Sequence, residues 1–161
     1  MTKLKKFSKI AVENRRAKYL YFIEDTIEAG VVLNGEEIQS IRKGKVSIDN
    51  GYAAEKNNDI WMYNTHIQIS NNITKINSEY ERDPLRPRKL LLKRREIDKI
   101  KIKLHNHGYT LIPLNIHYNN KGFAKIELGL SKGRKKEDKR EYKKNQDWKK
   151  KRSKILSENL K

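Results

Sequence analysis

The chain contains no cysteine, which excludes disulfides, thiolate zinc sites, iron–sulfur clusters and cysteine nucleophiles together and fits a reducing cytosol. Proline is scarce, at three residues, and no apolar run approaches the ~20 residues a membrane helix requires. Met1 to Ile10 is basic but lacks the apolar stretch of a secretory signal. Acidic residues are also in short supply. Thirty-eight Lys/Arg face twenty Asp/Glu, a formal charge of +18. Of 161 residues, the last thirty, Lys132 to Lys161, hold fourteen bases and five acids, so this short terminus carries +9, as much as the other 131 residues together. Nucleic acid is the partner such a balance favours over a membrane, whose basic arms bring a broader apolar face.

What is present divides the chain in two. Residues 1–131 have enough apolar sequence for one domain behind a loose basic leader at 1–13. Tyr19-Leu20-Tyr21-Phe22-Ile23 reads as a strand that Gly30 interrupts and Val31-Val32-Leu33 resumes. Glu36, Glu37, Ile38, Ile41 and Arg42 set acids first, bases last and Gly44 at the stop, which predicts a helix. Ser47–Lys56 and Ile60–Ile69 read as strands around the polar turn Lys56-Asn57-Asn58-Asp59, and 70–83 as irregular. Beyond Pro84 and Pro87, the recurrence of Leu90, Ile97 and Leu104 predicts a helix over Lys89–Leu104, ended by Gly108. Two alternating strands follow. One places Thr110, Ile112, Leu114, Ile116 and Tyr118 on a single face; the other does the same with Ala124, Ile126, Leu128 and Leu130. The expected fold is mainly β, an OB-like antiparallel barrel with flanking helices.

Residues 132–161 form the second part, a basic C-terminal tail. Trp148, Arg152, Ile155 and Leu156 recur at intervals that give a helix one aromatic-to-aliphatic edge. Short isolated helices are marginal in water. The tail is therefore expected to be disordered when free and helical on its target.

No catalytic constellation accompanies these features. His66, His105, His107 and His117 come without cysteines or a carboxylate cluster, and read as structural or surface residues. The adjacent pairs Glu24-Asp25 and Glu36-Glu37 read as ordinary surface carboxylates. Gly44-Lys45-Val46-Ser47 lacks the glycines of a phosphate loop. The expectation is a binding protein with no enzymatic activity, metal or cofactor.

A series of segments in fixed order is more specific. It comprises Asn14-Arg15-Arg16-Ala17, Tyr21-Phe22-Ile23-Glu24, Glu28-Ala29-Gly30, Gly35 to Arg42 and Arg88-Lys89-Leu90-Leu91-Leu92. It continues with Gly108 to Leu114, Gly129, Gly133-Arg134-Lys135-Lys136 and Asp138-Lys139-Arg140. From about Asn14 to Leu156 the chain resembles the small protein B family of SsrA-binding proteins, which accompany transfer-messenger RNA. The resemblance implies an OB-like barrel that binds the tRNA-like domain of that RNA. With elongation factor Tu as an indirect partner through the aminoacylated RNA, it implies delivery to stalled ribosomes for trans-translation in the cytoplasm. The tail is implied to occupy the small-subunit decoding region and the empty messenger channel.

By the same resemblance Asn14, Arg15, Arg16, Glu28, Leu91 and Lys93 belong to the RNA-binding face. Gly133, Arg134, Lys135, Asp138, Lys139, Arg140, Trp148, Ile155 and Leu156 belong to the ribosome-facing tail. Two positions depart from the family pattern. Lys93 stands where many relatives carry asparagine, and Glu137 where relatives often carry histidine. The competing reading of the same charge is a ribosomal or ribosome-assembly RNA-binding protein.

Overall fold

The computed structural model describes residues 9–69, 83–106 and 108–158. Its framework is a seven-stranded antiparallel sheet. The strands are β1 (Lys9–Glu13), β2 (Tyr21–Val31), β4 (Tyr52–Lys56), β5 (Asp59–Tyr63), β7 (Arg88–Leu91), β8 (Tyr109–Tyr118) and β9 (Ala124–Gly133). They lie in the order β1-β8-β4-β5-β7-β2-β9, and β9 pairs back onto β8. The hydrogen-bonded order thus returns on itself and covers the edge that β9 would otherwise expose, while β1 pairs with β8 alone. β3 (Val46–Ser47) and β6 (His66–Ile67) form a separate two-stranded ribbon. The arrangement is mainly β with flanking helices, as expected, and compatible with an OB-like barrel.

Inside the ring, Ile60, Met62, Leu90, Leu111, Ile126 and Leu128 are fully buried or nearly so. Helix α2 (Gly35–Arg42) contributes Ile41 to this core, and α3 (Arg94–His105) contributes Ile97 and Ile100. α2 starts on a reciprocal cap: Glu37 N donates to Asn34 Oδ1 at 2.9 Å, and Asn34 N to Glu37 Oε2 at 3.0 Å. A one-turn helix, α1 (Ala17–Leu20), links β1 to β2. The β4–β5 turn uses Asn57 and Asn58 at φ 52° and 64°. Asparagine tolerates that left-handed pair, which matches the twist of a tight hairpin.

Several expectations are corrected by tertiary pairing. The leader is not loose throughout, because Lys9–Glu13 pairs with β8. Residues 1–8 and most of the polar stretch 70–83 lie outside the described residues. Gly30 does not interrupt its strand; β2 runs through it, pairing with both Lys125 and Leu91. The expected strands Ser47–Lys56 and Ile60–Ile69 are each divided, their outer ends forming the separate ribbon. Lys89–Leu104 is not one helix. Leu90 and Leu91 extend along β2, and the helix begins only at Arg94, with Glu96 accepting from Lys93 N at 2.8 Å. Pairing with a strand that is remote in sequence overrides the local heptad spacing.

In β8, the register shifts between Pro113 and Asn115. This bulge reverses the alternation, so Ile116 and Tyr118 join Tyr109 and Leu111 in the main core cluster, while Ile112 is buried outside that cluster. β9 keeps its expected face, with Ile126, Leu128 and Leu130 inward.

Glu37 is completely buried, contrary to its reading as a surface carboxylate. It pairs with Arg86 and with the equally buried Arg88, whose Nε lies 2.9 Å from Glu37 Oε1. Arg88 also donates to the carbonyls of Thr65, Pro84 and Arg86. Burial lowers the pKa of Arg88 and Glu37 opposes that shift. Guanidinium is nevertheless the cation suited to such a site, because its five donors can all be satisfied.

The sheet continues to Gly133, two residues past the expected boundary, before α4 (Lys136–Glu158) begins. α4 has no buried residue.

Candidate nucleic-acid interface

A cleft of about 1070 Å³ opens between β2, β7, β9 and α3. β2 supplies Glu28, and the end of β7 with the residue pair after it supplies Leu91 and Lys93. The two strands meet at Gly30, opposite Leu91. A Cβ at Gly30 would stand only 3.1 Å from Leu91 Cβ, so glycine is what permits this approach. In the alternation of β7, Leu90 points inward and Leu91 outward, where it is 55% exposed. It is a surface residue in a strand, not a core residue of a helix.

Around Leu91 the cleft is lined by lysines. Lys89 is neutralised by Asp59 at 2.7 Å, and Lys103 by Glu24 at 2.8 Å. No carboxylate pairs with Lys93, Lys99 or Lys125 among the described residues. These three cations, beside the exposed apolar Leu91 and Ile102, form a surface that can take phosphates and an unstacked base together.

Glu28 is one of four carboxylates that line this basic cleft, with Asp25, Asp59 and Glu96. Its Oε2 lies 3.2 Å from Nε2 of the buried His117. His117 Nδ1 is 2.9 Å from Asn115 Oδ1, and Asn115 Nδ2 donates to Glu127 at 2.6 Å. A carboxylate accepts from base amino and imino groups, which no lysine can do. His117, Asn115 and Glu127 were not singled out from the sequence as part of the site. Their only signal is that residues 115 and 117 are polar at a spacing of two within an apolar strand.

Asn14, Arg15 and Arg16 are not equivalent. Asn14 is 6% exposed, its backbone N donating to Leu114 O at 2.8 Å and its Nδ2 to Pro113 O at 3.1 Å. It ties the chain to the β8 bulge, while Arg15 and Arg16 are exposed just beyond it. β1 leaves the sheet at the register Glu13–Asn115–Glu127–Glu28, the row that ends on a cleft carboxylate.

The proposed tail residues also divide. Arg134 belongs to the joint with the body: its N donates to Leu20 O and its Nε to the carbonyls of Lys18 and Tyr21. Its guanidinium lies over Tyr142 at 4.8 Å and Phe22 at 5.8 Å. Asp138 accepts from Lys135 N at 3.1 Å and caps the first turn of α4, where Glu137 also complements the helix dipole. Lys135 and Arg140 are exposed, Lys139 is half-buried, and Gly133 is exposed at the end of β9. Trp148, Ile155 and Leu156 are exposed by 69, 57 and 55% and touch no core.

Comparison with known proteins gives a consistent family. The family model for SmpB protein matches residues 11–158. The SsrA-binding protein of Orientia tsutsugamushi (strain Ikeda) is 48% identical, over 95% of this chain and 97% of that protein. That of Allorhizobium ampelinum is 44% identical over 92% of each. That of Rickettsia bellii (strain OSU 85-389) is 43% identical over 93% of this chain and 97% of the relative. A solved chain from "tmRNA-SmpB: a journey to the center of the bacterial ribosome" superposes with a TM-score of 0.63 at 38% identity, covering 78% of this chain and 85% of that one. The sheet, the cleft and this breadth of similarity lead to one assignment: the chain belongs to the SmpB protein family.

Proposed function

We propose that this protein binds the tRNA-like domain of transfer-messenger RNA and delivers it to stalled ribosomes for trans-translation. The observation that carries the reading is the meeting of Glu28, Leu91 and Lys93 in one cleft of a strongly basic body. Lysines there neutralise phosphates, Leu91 packs against an unstacked base, and Glu28 accepts from a base edge. Relatives named for binding SsrA RNA, and a solved relative described with that RNA and the ribosome, support it. The protein acts as a binding partner in the cytoplasm and leaves the chemistry of tagging to the ribosome, with elongation factor Tu joining through the aminoacylated RNA.

In this reading α4 enters the decoding region and the empty messenger channel. Its helical form belongs to the docked tail, and the free tail is mostly coil, because nothing is buried to hold it. Lys135, Lys139, Arg140 and the Trp148–Ile155–Leu156 edge face the ribosome.

The test is a pulldown with the full chain, followed by sequencing of the bound RNA. Transfer-messenger RNA is the expected enrichment; bulk ribosomal RNA alone would overturn the reading. Glu28→Ala and Leu91→Ala should each weaken specific binding while leaving the barrel folded, since both side chains are exposed. A melting temperature that collapses with Leu91→Ala would return that residue to the core.

A further inference from the structure

The hydrogen-bond chain behind Glu28 has a direction. Glu127 offers only acceptors, so Asn115 must turn its amide nitrogen toward it, at 2.6 Å. That leaves Asn115 Oδ1 for His117, whose Nδ1 therefore carries a proton and donates across 2.9 Å. The other ring nitrogen lies 3.2 Å from Glu28 Oε2, and this contact is attractive only with a second proton between them. The order runs from Asn115, which donates to Glu127, through His117 Nδ1, which donates to Asn115, to a proton shared between His117 Nε2 and Glu28 Oε2.

The register explains how the chain reaches so far. Asn115, Glu127 and Glu28 are direct cross-strand neighbours on β8, β9 and β2. His117 pairs with Lys125, which pairs with Gly30, so its ring lies on the same face and bridges over β9 to Glu28. His117 is 3% exposed and Glu28 is 35% exposed at its side chain. One end of the link is thus held in the packed sheet and the other faces the cleft.

From this geometry we infer that His117 is a positioning residue for Glu28. It pins Oε2 and leaves Oε1 turned toward a nucleobase edge that donates N–H groups. An unpinned glutamate samples several rotamers, and ordering it on binding costs affinity. The inference rests on the RNA-reading role proposed for Glu28 and adds to it the residue that preorganises the carboxylate.

Two near-isosteric substitutions separate positioning from structure. In His117→Gln the amide nitrogen can fall near the place of Nε2 and still donate to Glu28. In His117→Asn it falls near Nδ1, reaching Asn115 but not Glu28. Binding of transfer-messenger RNA, with an unrelated structured RNA as control, is measured for both full-length variants alongside their melting curves. His117→Asn should bind the specific RNA about tenfold more weakly, in line with the loss of a hydrogen bond to a charged group. His117→Gln should recover most of that loss. The control RNA and the salt slope should not change, because no phosphate contact is removed. Combining His117→Asn with Glu28→Ala should weaken binding no further than Glu28→Ala alone.

Equal behaviour of the Asn and Gln variants, or additive losses in the double variant, would overturn the inference. An arm that leaves His117 in place guards against misfolding: nitrogen NMR of the ring in the unaltered protein and in Glu28→Gln. The Nε2 resonance should differ between the two, because Glu28 Oε2 is its neighbour at 3.2 Å. Unchanged ring resonances would sever the link between the two residues. Normal RNA binding by Glu28→Ala would instead defeat the functional reading itself, so the two failures are told apart.

Discussion

Body and tail carry the same formal charge, +9 each, and reach their structures by different means. The body encloses Ile60, Met62 and Leu128 without measurable exposure. α4 runs for 23 residues without burying one. Its tertiary contact is concentrated at the near end, where Tyr142 meets Arg134 at 4.8 Å and Tyr19 at 6.4 Å. Charge sets what both regions attract. Burial separates them, because apolar area removed from water contributes ~25 cal/mol per Å² and an exposed face contributes none of it.

The largest effect should come from breaking the body at its buried ion cluster. Glu37→Ala strands Arg88 without its carboxylate and removes one half of the α2 cap, the bond from Asn34 N to Glu37 Oε2. It should cost ~3–5 kcal/mol in urea unfolding, the loss that follows removal of one partner of a buried pair. Leu156→Ala, the same kind of truncation in the tail, should stay within about 0.5 kcal/mol. Comparable losses from both would erase the distinction between the regions.

Next is the tail itself. Ile155→Pro should disfavour the helix by ~3 kcal/mol, lowering tail helicity on ribosomes while the body's melting temperature stays unchanged. Peptide tagging in a reconstituted assay should fall as transfer-messenger RNA binding persists. Replacing Lys139 and Arg140 together with alanine is a finer probe, since it leaves the Asp138 cap and removes only two of the +18 charges. Tagging should again fail, and normal tagging would reduce α4 to a nonspecific charged arm.

Ending the chain after Lys135 keeps all of β9 and the anchors of Arg134. Such a protein should bind transfer-messenger RNA nearly as well as the whole. Its log–log salt slope should be set by the body's phosphate contacts, at roughly 0.7 to 0.9 per phosphate. Loss of most affinity would move RNA binding into the tail.

The smallest effect is electrostatic. Hydrogen bonds from Lys103 and Tyr109 hold the Glu24 pKa below its ordinary 4.5, and bonding to Glu24 raises Lys103 above 10.5. The Glu24 contribution is present above pH 4.5 and is lost as pH falls through the lowered value. The Lys103 contribution is complete below pH 10.5 and lost as pH rises through the raised one. Melting temperatures of the unaltered protein and Glu24→Gln should differ slightly at neutral pH and converge at both extremes. A constant difference would leave the pair without a role.

Legibility followed the range of the interactions. Asn34 and the acids after it cap α2 through contacts three residues apart, so that helix was readable. β9 was readable because its alternation runs unbroken from Ile126 to Leu130. β7 was not, since Leu90 and Leu91 leave helical spacing only to pair with residues about sixty positions earlier. The candidate site divides in the same way. Its residue types were visible through family resemblance, whereas the support of Glu28 by His117 spans 89 positions.

By itself, the sequence determined the charge, the absence of thiol chemistry, the α2 helix, the β9 face and the apolar edge of the tail. Each depends on composition or on neighbours within a few residues. Tertiary structure alone decided that Glu37 is a buried anchor, that the bulge before Asn115 reverses one face of β8, and that Asn14 points inward as a tie. It also turned Leu91 outward across Gly30 and set His117 behind Glu28. Those outcomes depend on which distant strands share a register, and local preference is too weak to choose among registers before the core closes.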